Sequence, residues 1–145
     1  MILVDANLLL FAADSTSPFH PKAARWLEDA LNAESAVGIP WQSIGAFLRI
    51  ATHPRASATP LSAKDAWAQV DSWLACDVVW IPQPTARHPE VLAGLLSRYR
   101  VTGNLVPDAM LAAVALEHGL TVCSADTDFA LFSEVRWENP VAPSQ

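Results

Sequence analysis

Met1-Ile2-Leu3-Val4-Asp5-Ala6-Asn7 opens the chain, and its reading decides the fold. Ile2, Leu3 and Val4 form an apolar run without polar alternation. That is the pattern of a strand covered on both faces, as at the centre of a parallel sheet. Asp5 ends the run and falls at the strand's carboxyl edge, outside which open α/β sheets bind their ligands. A carboxylate there is either a helix cap or part of a ligand site.

Working outward, Ala6–Ala13 leads into the polar loop Asp14–Pro18. Pro21 suits the first turn of a helix, and Ala23, Trp26, Leu27, Ala30 and Leu31 follow the spacing of one helical face. Ala36–Pro40 reads as a second strand, closed by proline. Trp41–Ala51 reads as a helix with Ile44, Phe47, Leu48 and Ala51 on one stripe. Ser62 followed by Asp65 resembles a capping box and starts a helix over Ala63–Ala75. Its expected apolar face is Ala63, Ala66, Trp67, Val70, Trp73 and Leu74. Val78–Ile81 is a third strand, Pro89–Arg100 a helix, and Val106–His118 a helix that is apolar nearly all round. Gly119 stops that helix. Leu120–Cys123 is a fourth strand, and Val135–Trp137 a fifth at the edge. Strands alternating with helices of this length predict an α/β fold, a sheet of four to five mainly parallel strands with helices on both faces. One domain over residues 1–138 is expected, with a frayed tail at 139–145.

The chain has 145 residues, 52% of them hydrophobic, enough for a substantial core. No run approaches the ~20 apolar residues needed to span a bilayer, and no basic leader precedes the first strand. Cys76 and Cys123 lack metal-ligand spacing and read as reduced core residues, which points to a cytoplasmic protein. The net charge of −6 argues against a broadly basic nucleic-acid surface. It is compatible with a few acids gathered in one metal site.

Three further aspartates fall where the topology brings them toward Asp5. Asp126 lies just past the fourth strand, in Ser124-Ala125-Asp126-Thr127-Asp128-Phe129. Asp108 lies in the first turn of its helix, where free N–H groups favour an anion. Singly, each has a plain structural role: Asp5 as a cap, Asp108 as a dipole partner, Asp126 and Asp128 as an Asx turn and cap. Together they pose an electrostatic problem. Like charges ~4 Å apart cost about 4 kcal/mol at an effective dielectric near 20, so a convergent set calls for a cation. All-oxygen donors suit Mg²⁺ or Mn²⁺.

These segments resemble the PIN domain, specifically the ribonuclease toxins of VapBC toxin–antitoxin pairs (the VapC family). The resemblance is carried by Ile2–Leu9, by Pro107–Ala115 with His118-Gly119-Leu120, and by Ser124–Phe129. It implies a Mg²⁺-dependent endoribonuclease, with Mn²⁺ as a possible substitute, that hydrolyses RNA with a metal-activated water. Asp5, Asp108 and Asp126 match the family's metal-binding aspartates. Asn7 matches the polar residue two past the first acid, Ser124 a hydroxyl beside the site, and Asp128 an auxiliary acid. The implied partners are an RNA substrate, a VapB-type antitoxin whose C-terminal segment covers the crevice, and a second copy of the chain; no membrane is implied. One departure stands out. Many PIN domains carry a glutamate on the helix after the second strand, and here Ala46, in Ser43–Ile50, occupies that register. The alternative reading is a degenerate module that binds RNA or protein without cutting.

Other chemistries fit less well. A haloacid-dehalogenase-type phosphatase needs a second aspartate where Asn7 stands. A response-regulator receiver needs a lysine after the last strand, and none follows Lys64. The four histidines adjoin proline or glycine and read as exposed loop or cap residues. Arg49, Arg55, Arg87, Arg98 and Arg100 are candidates for phosphate contact. Trp67, Trp73 and Phe47 are candidates for a partner surface, with core packing as the default for each.

Overall fold

The computed structural model describes residues 1–143. The opening run forms strand β1, Ile2–Val4, which pairs in parallel with β2, Val37–Gly38, on one side and β4, Thr121–Cys123, on the other. β3, Val79–Trp80, and β5, Trp137–Glu138, are the edges of a five-stranded parallel sheet ordered β3-β2-β1-β4-β5. The register sets Val4 opposite Cys123, so the chain leaves both strands at one carboxyl edge.

The lack of alternation in β1 has a direct cause. Leu3 and Val4 are both fully buried but face different cores. Val4 packs with helices α1 (Ala6–Ala13), α2 (His20–Asn32), α3 (Trp41–Ala51) and α4 (Ala63–Leu74). Leu3 packs with α5 (His88–Arg98), α6 (Leu105–His118) and the 3-10 turn Thr127–Leu131. Each buried aliphatic side chain contributes on the order of 1.5–3 kcal/mol. A register slip would exchange the two cores' side chains and so is strongly disfavoured. Gly38 permits the close approach beside β1, because a Cβ there would lie 3.0 Å from Pro82 Cγ and 3.2 Å from Ile2 O.

Several expectations hold at the level of residues. Ser62 Oγ accepts from Asp65 N at 3.0 Å and starts α4. Gly119, at φ 67°, ends α6 in the left-handed conformation. Both cysteines are free, and burial pushes the Cys123 thiol up to about 12.

Other expectations are corrected. Ala63 and Trp67 do not belong to α4's buried face; Ala66, Val70 and Trp73 form it, and Trp67 is 44% exposed. Phe47 and Trp73 keep their default place in the core, edge to face at 4.9 Å, which removes them as candidates for a partner surface. The tail does not fray as far as it is described. Val141 is buried in the α1–α4 core, Asn139 Oδ1 accepts from its N–H at 3.1 Å, and Lys22 Nζ donates to Ala142 O at 3.1 Å. The last two residues of that expectation, Ser144 and Gln145, lie outside the described residues.

His53 is an exposed loop residue, and His20, His88 and His118 lie at helix ends as expected, but these three are half-buried and bonded rather than exposed. His20 Nδ1 pairs with Phe11 O at 3.0 Å, and His118 Nε2 with Gln83 O at 2.7 Å. His88 Nδ1 lies 2.7 Å from Glu117 Oε2, a carboxylate whose side chain is fully enclosed. Glu117 Oε1 accepts from Thr85 N and Thr85 Oγ1, each at 2.7 Å. Burial pushes the Glu117 carboxyl up, but these donors outweigh it and hold it below its usual range. The group ties the start of α5 to the end of α6.

Candidate active site

The carboxyl edge of β1 and β4 is built around one hydroxyl. Ser124, directly after β4, is fully buried. Its Oγ donates to Asp5 Oδ2 at 2.7 Å and accepts from Asn7 Nδ2 at 3.1 Å and Asp126 N at 3.0 Å. Asn7 Oδ1 accepts from Ala125 N at 3.2 Å, so the Asn7 amide bridges the Ser124 hydroxyl and the Ala125 N–H. Asp5 Oδ1 accepts from Ala6 N at 2.7 Å. Asp5 is therefore the cap of α1, while its other oxygen faces Ser124 in the crevice. Asp126 Oδ1 likewise accepts from Asp128 N at 2.9 Å and starts the 3-10 turn.

Asp108 comes from the first turn of α6. Among the described residues, one carboxylate oxygen each from Asp108, Asp126 and Asp128 lie within 4.8 Å of one another. Asp5 is not in this tightest group. It faces Asp108 and Asp126 closely enough to act on both electrostatically, while its oxygens are engaged by Ser124 and Ala6. The structure thus brings together all four aspartates named from sequence, but draws Asp128 into the centre and sets Asp5 to one side.

Two of these acids, Asp108 and Asp5, are held back from ionising by their setting. Asp108 is pushed up to about 7, first by burial and then by the charges of Asp126, Asp5 and Asp128. Asp5 is also raised, chiefly by burial, against the opposing bonds from Ser124 and Ala6 and with a further push from Asp126. A group that cannot readily ionise beside its neighbours is what a bound cation would relieve. The donors are all carboxylate oxygens, a set suited to Mg²⁺ or Mn²⁺ rather than to softer metals.

Three side chains that the sequence did not mark hold this backbone in place. Ser43 Oγ, buried on α3, donates to Val4 O at 2.7 Å. Gln42 Nε2 donates to Pro107 O at 2.8 Å. Trp137 Nε1, from β5, donates to Ser124 O at 3.0 Å. The available signal was polar residues placed just after Pro40, where the helix following β2 meets the same sheet edge. Of the five candidate arginines, Arg98 is engaged by Glu134.

Sheet order and acidic crevice together define the class: a five-stranded parallel α/β fold with an aspartate site at the strands' carboxyl edge. The chain belongs to the PIN domain family, whose model matches residues 2–135, and within it to the VapC proteins. It is 42% identical over 142 residues to the protein named Ribonuclease VapC37 of Mycobacterium tuberculosis, covering 98% of this chain and 99% of that one. Among solved structures, it resembles VapBC2 from Rickettsia felis, bound to a DNA fragment from its promoter, with a TM-score of 0.71 and 14% identity, covering 96% of this chain and 98% of that one. It also resembles VapC20 of Mycobacterium tuberculosis, described as a sarcin–ricin loop cleaving toxin, with a TM-score of 0.69 and 21% identity over 94% of this chain and 99% of that one. At these identities the two structures bear on the fold.

Proposed function

We propose that the chain is a divalent-metal-dependent endoribonuclease, the toxin of a toxin–antitoxin pair. The observation that carries the metal reading is the meeting of Asp108, Asp126 and Asp128 oxygens within 4.8 Å, with the Asp108 carboxyl pushed up to about 7 by burial and then by its neighbours' charges. The substrate reading is supported by the near-full-length relative named a ribonuclease. The antitoxin partner is supported by the solved neighbour, a toxin–antitoxin pair on promoter DNA. A homodimer and a cytoplasmic location belong to the same reading and rest on the family resemblance. No helix among the described residues is long and apolar enough to cross a membrane.

In this reading Asp108, Asp126 and Asp128 hold Mg²⁺, with Asp5 completing the acidic wall. When bound, the cation polarises a phosphoryl oxygen and lowers the pKa of water. Ser124 and Asn7 orient Asp5 and the Asp126 peptide, so the carboxylates are set before substrate arrives and little reorganisation is needed. The start of α6 adds its dipole to the stabilisation of anionic groups at Asp108's end. Hydrolysis proceeds without a covalent enzyme intermediate.

A second reading, a non-cutting PIN module, is favoured by one observation: α3 carries Ala46, and no acid, at the register where the family resemblance expects a glutamate. Cleavage of a pooled RNA substrate separates the two. Mg²⁺-dependent cutting, lost with EDTA and with Asp5→Asn or Asp108→Asn, supports the nuclease. RNA binding without cutting under any metal supports the module. Cutting that ignores both EDTA and the substitutions would sink the metal site.

A further inference from the structure

Helix α3 supplies no acid to the crevice, yet its first turn touches two of the segments that do. Gln42 Nε2 reaches Pro107 O, the carbonyl directly before Asp108. Ser43 Oγ reaches Val4 O, the carbonyl directly before Asp5. Two consecutive side chains of one turn therefore hold the two peptide planes whose nitrogens belong to Asp5 and Asp108. A fixed peptide plane carries with it the Cα of the next residue, and so sets the point from which that residue's carboxylate projects.

A second observation marks where such bracing is needed. Helix α6 begins after Asn104, whose side chain makes no capping bond. The first turn of a helix lacks intrahelical partners for its N–H groups and frays most readily. Asp108 sits in that turn, with an oxygen each of Asp126 and Asp128 within 4.8 Å of its own. So close a set of carboxylates needs the backbone behind Asp108 held in place. Gln42 supplies that hold from a different helix, whose own start is anchored through the buried Ser43.

We propose that Gln42 and Ser43 are positioning residues for the carboxylates of the crevice, so that α3 serves the site by bracing the backbone of Asp5 and Asp108 and not by adding an acid at Ala46. This deepens the nuclease reading and rests on it. Gln42 is exposed, and one exposed hydrogen bond contributes little to folding. A loss of site geometry, by contrast, is felt directly in metal affinity and turnover. The two effects therefore separate experimentally.

The test measures Mn²⁺ binding by electron paramagnetic resonance, kcat and KM for RNA cleavage, and Tm in EDTA. The proteins are the full chain, Asp108→Asn, Gln42→Met, Ser43→Ala and Ser43→Thr. Gln42→Met keeps the length of the side chain and removes the donor. It is expected to weaken Mn²⁺ binding and lower kcat by about 10-fold each, with KM for RNA and Tm nearly unchanged. Ser43→Ala behaves likewise with some loss of Tm, and Ser43→Thr, which keeps the hydroxyl, restores kcat. If the buried Ser43 variants fail to fold, Gln42→Met decides. Wild-type Mn²⁺ affinity and kcat in Gln42→Met overturn the brace while leaving the metal site standing. A lowered Tm with unchanged Mn²⁺ affinity does the same. Absence of Mn²⁺ binding in the unaltered chain, or its persistence in Asp108→Asn, overturns the metal reading itself, before any α3 variant is considered.

Discussion

Asp108→Asn is expected to stabilise the metal-free chain while destroying its response to metal. An aspartate carboxyl titrates ordinarily near pH ~3.9, and in the fold Asp108 is pushed up to about 7. The folded state therefore holds the proton more tightly than the unfolded state. Its contribution to stability is fully present below the unfolded pKa and is lost as pH rises toward about 7, beyond which the loss is complete. A fully enclosed group shifted by three units would represent about 4 kcal/mol. Asp108 is partly exposed, and screening by water brings the figure to roughly 1–2 kcal/mol. The amide in Asp108→Asn does not ionise and escapes this loss. In EDTA at pH 8 its Tm should exceed that of the unaltered chain by about 3–6 °C. At pH 5 roughly a third of that gap should remain. Saturating Mn²⁺ should reverse the order, because a ligand at 100 times its Kd stabilises the unaltered chain by about 2.7 kcal/mol. Differential scanning fluorimetry across pH, with and without Mn²⁺, reads all of this. A Tm for Asp108→Asn at or below that of the unaltered chain at pH 8 in EDTA would refute the reasoning, as would a gap that does not change with pH.

Asp128→Asn should weaken Mn²⁺ binding at least as much as Asp5→Asn, because Asp128 lies in the tightest carboxylate group and Asp5 has both oxygens engaged; isothermal titration with each variant would show the reverse order if Asp5 were the main ligand. Ser124→Ala strips a shared partner from Asp5, Asn7 and the Asp126 N–H. It should cost about 1–3 kcal/mol in urea unfolding and about 10- to 100-fold in single-turnover RNA cleavage, and undiminished cleavage would contradict its role. Glu117→Leu leaves Thr85 N–H and His88 without their buried acceptor and should cost about 2–4 kcal/mol. In the unaltered chain the stability from this lowered carboxyl is present above its unfolded pKa and lost as pH falls through the folded one. Acid unfolding of the two proteins should therefore converge at low pH, and parallel curves would exclude the linkage.

The sheet was readable because β1 is buried on both faces. Leu3 and Val4 enter different cores, and that alone produces an unbroken apolar run. Asp5, Asp108 and Asp126 were readable because a parallel sheet sends its strand ends and its helix starts to one edge. Helix α1 was less distinct, since Ala6–Ala13 is apolar nearly all round and shows no face. Trp67 shows the limit of periodicity: its position at one residue from Ala66 suits the edge of the stripe, and the helix turns it to water. Spacing could not reveal which carboxylates would meet, because Asp5 turns its oxygens to Ala6 and Ser124 while Asp126 draws Asp128 inward through its N–H. The Glu117–His88–Thr85 group joins residues some thirty positions apart, and no local pattern announces such pairs. Val141 was hidden by the prolines around it, whose turn returns it to the core.

The central claim is that the aspartate crevice binds a divalent cation, and crystals of the chain soaked in Mn²⁺ test it most directly. An anomalous difference peak among the carboxylate oxygens of Asp108, Asp126 and Asp128, lost in crystals of Asp108→Asn, is the predicted result. A crevice without a peak at saturating Mn²⁺, or a peak unchanged by Asp108→Asn, would contradict it.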